Sequence, residues 1–284
     1  MKADSLLAQT KRMLCRFELK ARKKLGQHFL IDDGVLRFII DSGELTSGDT
    51  VIEVGSGLGI LTRELAEKAG SVLAVELDDN LAVMLKESLD SFENVTVINR
   101  DILQIEPYIL LPESMKYKVV ANLPYYITAR VLRYFLEAEV KPELMIVMVQ
   151  KEVAEVVAAE SGQRSLLSIS VQFYGKPEII SYVPAQAFYP VPEVDSAVLR
   201  IEVYPEPMVA VKDADSFFKL VRAGFTASRK QLVNSLAQGM GLPKTDVLTL
   251  LEQAGIMLQR RAETLTLEEW ARLWQVFNGR GESK

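Results

Sequence analysis

Thr50-Val51-Ile52-Glu53-Val54-Gly55-Ser56-Gly57-Leu58-Gly59 is a short apolar run, broken by one acid, that leads directly into three closely spaced glycines. The run reads as a β-strand, and Leu61 to Lys68 beyond it carries apolar residues at helical spacing. Glycines between a strand and a helix let the backbone turn tightly and approach a ligand at the helix N-terminus. A dinucleotide fingerprint would place its third glycine where this chain has Ile60, so a cofactor without pyrophosphate is preferred. By itself a Gly-rich turn is a weak signal, since a minority of such turns are tight loops with no ligand.

Outward from this turn the alternation repeats. Val72 to Glu76, Val95 to Ile98, Lys118 to Ala121 and Leu144 to Val149 are further apolar runs, typical of parallel strands covered on both faces. Asn80 to Leu89 and Thr128 to Ala138 supply intervening helices. The sum predicts an α/β, doubly wound, mostly parallel sheet with ligands at the carboxyl ends of its strands. Leu166 to Tyr174 reads as another helix, whereas Glu178 to Val183 and Ser196 to Val203, separated by Pro184, Pro190 and Pro192, read as an antiparallel pair at the sheet edge. A bend at Tyr204 to Pro207 marks a boundary. Helices then follow over Asp215 to Thr226, Ser228 to Gln238, Lys244 to Ala254 and Thr266 to Phe277, the last opened by a Thr266/Glu269 capping box. The expected organisation is a basic extension over 1–21, an α/β domain over 22–205 and a small all-helical domain over 206–284.

Two acids close successive strands. Glu76, about 20 residues beyond the turn, is placed to accept both ribose hydroxyls, and Asp101 to accept from an adenine amino group. Either could instead only cap the next helix. The neighbouring Leu77 and Ile102 are counted in the same adenosine site with Gly55 and Gly57. The fourth strand ends in Asn122-Leu123-Pro124-Tyr125. The Asn122 side-chain oxygen and the Leu123 carbonyl offer two acceptors that can hold an exocyclic adenine amine and localise its lone pair toward a sulfonium methyl. Pro124 disfavours helical geometry at Leu123, and Tyr125 offers a face for an unstacked base.

These segments resemble the ribosomal RNA adenine dimethyltransferase family of the KsgA type. The likeness spans about residues 22 to 278 and rests on Lys24 to Leu30, Val51 to Gly59, Asn122 to Tyr126, Gln150 to Val153, Phe188 to Ala197 and Phe225 to Leu236. The resemblance implies a Rossmann-like methyltransferase fold, S-adenosylmethionine as cofactor, and cofactor contacts from His28, Leu30, Gly55, Glu76, Asp101 and Asn122. It further implies that Tyr125 and Phe188 sandwich the target base. His28 departs from the Asn carried by many members, but an imidazole can also hydrogen-bond the methionine end of the cofactor. The implied substrate is a pair of neighbouring adenosines in a terminal hairpin of small-subunit ribosomal RNA within an immature subunit. A large-subunit enzyme of the macrolide-resistance type is the nearest alternative, and a non-catalytic assembly factor a more distant one.

Charge bears on the same point. The chain carries a formal −5, yet residues 1 to 30 hold a balance of +6, leaving −11 elsewhere. Lys20, Arg22, Lys23 and Lys24 on this arm, and Arg222, Arg229 and Lys230 in an acid-free helical stretch, are the expected phosphate contacts. A single cysteine and a single histidine exclude an internal disulfide and a Cys/His zinc site. No apolar stretch approaches membrane-spanning length, and a cytoplasmic monomer is expected.

Overall fold

The structure, a computed structural model, describes residues 4–22, 26–105, 109, 111 and 116–279. Lys23 and Lys24 lie outside these. The chain forms two compact units, one of residues 1–154 and 176–203, the other of 155–175 and 204–284.

The first unit is built on a seven-stranded sheet. Its strands are β2 (Thr50–Val54), β3 (Ser71–Glu76), β4 (Val95–Asn99), β5 (Tyr117–Asn122), β6 (Leu144–Gln150), β7 (Gly175–Val183) and β9 (Ser196–Val203), arranged β4-β3-β2-β5-β6-β9-β7. β4 through β6 pair in parallel, and β9 runs antiparallel to β6 with Leu144 opposite Glu202. Every residue of β2 is buried, and β6 is buried except at Gln150. Continuous burial explains why these strands read as unbroken apolar runs. Helices α2 (Asp33–Ser42), α3 (Ile60–Lys68), α4 (Asp79–Ser88) and α5 (Thr128–Glu137) flank the strands in sequence, and α6 (Lys151–Val157) follows β6. Asp32 caps α2, its Oδ1 accepting from the backbone N–H of Gly34 and Val35 at 2.8 and 3.0 Å.

Two features of this unit go beyond the sequence reading. A separate two-stranded ladder joins β1 (Phe29–Leu30) to β8 (Phe188–Tyr189), with Leu30 opposite Phe188. The basic N-terminal stretch is a helix, α1 (Leu6–Arg16), rather than a free arm. Leu6 is buried, and Met13, Leu14 and Phe17 pack on the cluster of Phe29, Leu58, Leu81 and Leu85. Its cations Arg12 and Arg16 are paired with Asp4 and Glu87.

The second unit is helical: α7 (Leu166–Tyr174), α8 (Ala214–Phe225), α9 (Leu232–Met240), α10 (Lys244–Gln253) and α11 (Leu267–Gly279). It differs from the expected 206–284 domain by taking in residues 155–175, because Phe173 and Tyr174 on α7 pack their rings against Phe217 and Phe218 on α8. The helix expected from Ser228 starts only at Leu232, since residues 226–231 turn. The capping box at α11 is formed, with Glu269 accepting from the Thr266 N–H and Thr266 Oγ1 from the Glu269 N–H. Helices α8 and α9 approach closely at Gly239, where a Cβ would lie 2.6 Å from Ala223 Cα.

Candidate active site

The carboxyl ends of β2, β3, β4 and β5 open into one cleft of the first unit. His28, Leu30, Gly55, Gly57, Glu76, Leu77, Asp101, Ile102 and Asn122 to Tyr125 all line it. This is the position at which an open α/β sheet binds ligands. Gly55, Gly57 and Gly59 have φ of 75°, 56° and 73°, left-handed values that side chains disfavour, so the turn demands glycine. A Cβ on Gly59 would reach 2.8 Å from Leu85, and one on Gly55 would come 3.3 Å from the Pro124 ring. The glycine turn and the Asn122-Leu123-Pro124-Tyr125 turn therefore lie against each other.

Acids form the floor. Glu76 is only 6% exposed, and its carboxylate accepts the Gly57 N–H on Oε2 and the Asp78 N–H on Oε1, each at 2.8 Å. It thus braces the glycine turn while keeping further lone pairs for a ligand. Burial raises its pKa, opposed by these two N–H groups. Glu53, fully inside β2, is pushed up to about 7 by burial, although the Thr62 hydroxyl donates to it at 2.6 Å. Asp101 accepts the Leu103 N–H at 3.0 Å and so caps a 3₁₀ turn over Ile102–Gln104, while still lining the cleft.

The Asn122 to Tyr125 turn is held from several directions. The Asn122 amide Nδ2 donates to the His28 carbonyl at 3.1 Å, which leaves the carboxamide oxygen as the acceptor. The Leu123 N–H donates to Met148 O at 3.0 Å, and the Ile127 N–H closes a 3₁₀ turn onto Pro124 O. The Tyr125 hydroxyl shares a 2.7 Å hydrogen bond with the Ser196 hydroxyl, and its ring stacks on His28 at 5.7 Å between centroids. The His28 Nδ1–H donates to Pro190 O at 2.7 Å.

Two expected roles do not match these placements. Phe188 does not line the cleft. It is fully buried opposite Leu30, within the core cluster that includes Met148 and Val198, and the ring stacked on Tyr125 is His28. Arg22 is not free for phosphate, because its guanidinium pairs with the buried Asp78 carboxylate at 3.2 Å. Gln27 joins that contact, donating to Asp78 Oδ2 at 3.2 Å and accepting the Arg22 N–H at 2.7 Å. Lys20, Arg222, Arg229 and Lys230 are exposed. Sequence reasoning assigned no role to Gln27, Asp78, Ser196, Arg100, Arg130 or Tyr126. Gln27 and Ser196 sit inside the quoted motif runs, which was the available signal. Among the described residues no group of three or more His, Cys, Asp or Glu is arranged to hold a metal, and no helix is long and apolar enough to cross a membrane.

A strand-end cleft with a left-handed glycine turn, acids after two neighbouring strands and an Asn-Leu-Pro-Tyr turn defines a nucleic-acid amino-methyltransferase of Rossmann-like fold. Comparison with known proteins narrows the class. The model of the ribosomal RNA adenine dimethylase family matches residues 18–278, and the chain belongs to that family. A ribosomal RNA small subunit methyltransferase A of Dehalococcoides mccartyi is 55% identical over 275 residues, covering 96% of this chain and 94% of the relative. The crystal structure of the 23S rRNA methyltransferase ErmE is 31% identical with TM-score 0.69, covering 88% and 99% of the two chains. A dimethyladenosine transferase from Plasmodium falciparum shares the fold at TM-score 0.76 and 24% identity, covering 89% of this chain and 98% of its own. The cofactor is S-adenosylmethionine. The cleft fits it: positive-φ glycines leave room for close backbone approach, and the Glu76 and Asp101 carboxylates offer acceptors.

Proposed function

We propose that this chain methylates the N6 amino groups of two adjacent adenosines in a hairpin loop of small-subunit ribosomal RNA, giving N6,N6-dimethyladenosine in an immature subunit. Bound S-adenosylmethionine supplies an electrophilic methyl group on a sulfonium. The residues of this chain do the rest. Glu76 and Asp101 accept from the ribose and adenine of the cofactor, Leu77 and Ile102 cover its base, and Gly55, Gly57, His28 and Leu30 border its amino-acid end. The Asn122 carboxamide oxygen and the Leu123 carbonyl each accept one N–H of the target amine, drawing its lone pair out of the ring. Tyr125 gives the flipped base a face to stack on once the His28 ring yields it. Orientation of the amine, rather than a general base, carries the rate, because the nitrogen becomes acidic only as the methyl arrives.

The observation that carries this reading is the Asn122 amide held by the His28 carbonyl, which leaves its carboxamide oxygen as an acceptor in a turn whose Pro124 ring lies against Gly55. Identity favours the small subunit as target: 55% to a relative named for it, against 31% to an enzyme named for 23S rRNA. That second likeness keeps large-subunit RNA as the other reading. Exposed Lys20, Arg222, Arg229 and Lys230 supply phosphate contacts, and the enzyme works as a cytoplasmic monomer on ribosomal precursors. Nucleoside mass spectrometry after reaction with cofactor and immature small subunits tests the proposal. Dimethyladenosine in the small-subunit RNA is expected. Methylation confined to large-subunit RNA, or none by folded, cofactor-binding protein, overturns it.

A further inference from the structure

The cleft presents an electrostatic difficulty for its substrate. Glu53, Glu76 and Asp101 line it and Asp78 adjoins Glu76, an arrangement suited to a cationic cofactor but repulsive to a polyanion entering behind it. Arg22 offsets only Asp78. Two further arginines line the same cleft, Arg100 just after β4 and Arg130 in the first turn of α5, and both are exposed. Among the described residues neither forms an ion pair or a side-chain hydrogen bond. Every other arginine of this unit is held by a carboxylate or a backbone carbonyl. The guanidiniums left uncommitted are the two at the cleft. With them stands Tyr126, 52% exposed, adjoining the catalytic turn and lying within electrostatic reach of Arg130 and Asp101.

We infer that Arg100, Arg130 and Tyr126 form a subsite for the nucleotide next to the target adenosine. The guanidiniums take the phosphates that flank the flipped base, and the Tyr126 ring stacks on the neighbouring base. Guanidiniums suit this task because they bind phosphate in a two-pronged fashion and are weakly hydrated. Their positive charge lets the RNA strand pass acids that must remain for the cofactor. The inference rests on the reading of this cleft as an RNA methyltransferase site.

The test measures RNA affinity, cofactor affinity and single-turnover methylation for the wild type, R100A/R130A, R100K/R130K, Tyr126→Ala and Tyr126→Phe, with thermal melts to verify folding. The double alanine variant is expected to weaken binding of a single-stranded adenosine-containing loop about tenfold, with cofactor affinity unchanged. It should also flatten the slope of log affinity against log salt by about 1.4, the amount for two lost phosphate contacts. The lysine pair should recover the slope but only part of the affinity. Tyr126→Ala should weaken RNA binding about tenfold with no change of slope, and Tyr126→Phe should not. Unchanged RNA affinity and slope in R100A/R130A, while the wild type methylates normally, overturns the inference, as does a loss confined to cofactor affinity. Failure of the wild type itself to methylate RNA would instead overturn the function on which it rests.

Discussion

The two halves of the cleft are put together differently. Its cofactor half, from Glu53 through the glycine turn to Glu76 and Asp101, is drawn from neighbouring strand ends within about fifty residues of chain, and its bonds either cross between adjacent strand ends, as Gly57 N–H to Glu76, or link residues two apart, as at Asp78 and Leu103. Its catalytic half is local only in the Asn122 to Tyr125 turn itself. Everything that aims that turn arrives from a distance: His28 O on the Asn122 amide, Ser196 on the Tyr125 hydroxyl and Pro190 O on His28. A motif can therefore announce chemistry while most of the geometry that makes it work lies elsewhere in the chain.

The sharpest way to break this contrast is Asn122→Ala. It should cut single-turnover methyl transfer by about 10²–10³-fold, the size seen when one positioned polar group is lost from a reacting centre. Cofactor affinity, measured by calorimetry, should change far less if the halves are separable. A comparable loss in both would show one indivisible site.

A second test concerns the cofactor half alone. Glu53 titrates near 7 when folded, against 4.5 as its ordinary value. The folded state therefore binds the extra proton between those values, and stability contributed through this residue falls as pH rises from about 4.5 to 7. Above that window burial of the charged form costs on the order of 3 kcal/mol. Glu53→Gln should remove this slope, seen as a melting temperature that varies less across the same window. An unaltered pH profile would show that Glu53 is ionised throughout.

The smallest expected effect tests the catalytic half. Ser196→Ala and Tyr125→Phe each remove one partner of a single hydrogen bond and should each slow transfer by about fivefold, near 1 kcal/mol. The double variant should be no slower than either single one, since both delete the same contact. Additive losses would mean that Ser196 acts by another route.

The same division explains what the sequence disclosed. The strands, the glycine turn, both strand-end acids and the Asn-Leu-Pro-Tyr turn were legible because each depends on local periodicity or on a residue type demanded by backbone geometry, such as Gly55 at φ 75°. The β1–β8 ladder was not, because two residues pairing with two others far along the chain leave no periodic trace. Arg22 read as a free cation because its partner Asp78 looks in sequence like an ordinary helix cap, which it also is. Residues 155–175 were assigned to the sheet domain by their place in the chain, whereas the rings of Phe173 and Tyr174 decide their membership.

The β1–β8 ladder accounts for the burial of Phe188. Joining His28 to Pro190 closes a stretch of 162 residues, and in a flexible chain such a closure costs on the order of 4 kcal/mol of entropy. Four paired residues and one imidazole–carbonyl bond supply too little to offset that. Two apolar side chains removed from water do supply it, at roughly 2 kcal/mol each. Leu30 and Phe188, facing each other in the ladder, are thus the clasp that brings the two ends of the catalytic wall together, and an aromatic residue there serves assembly before it could serve any base.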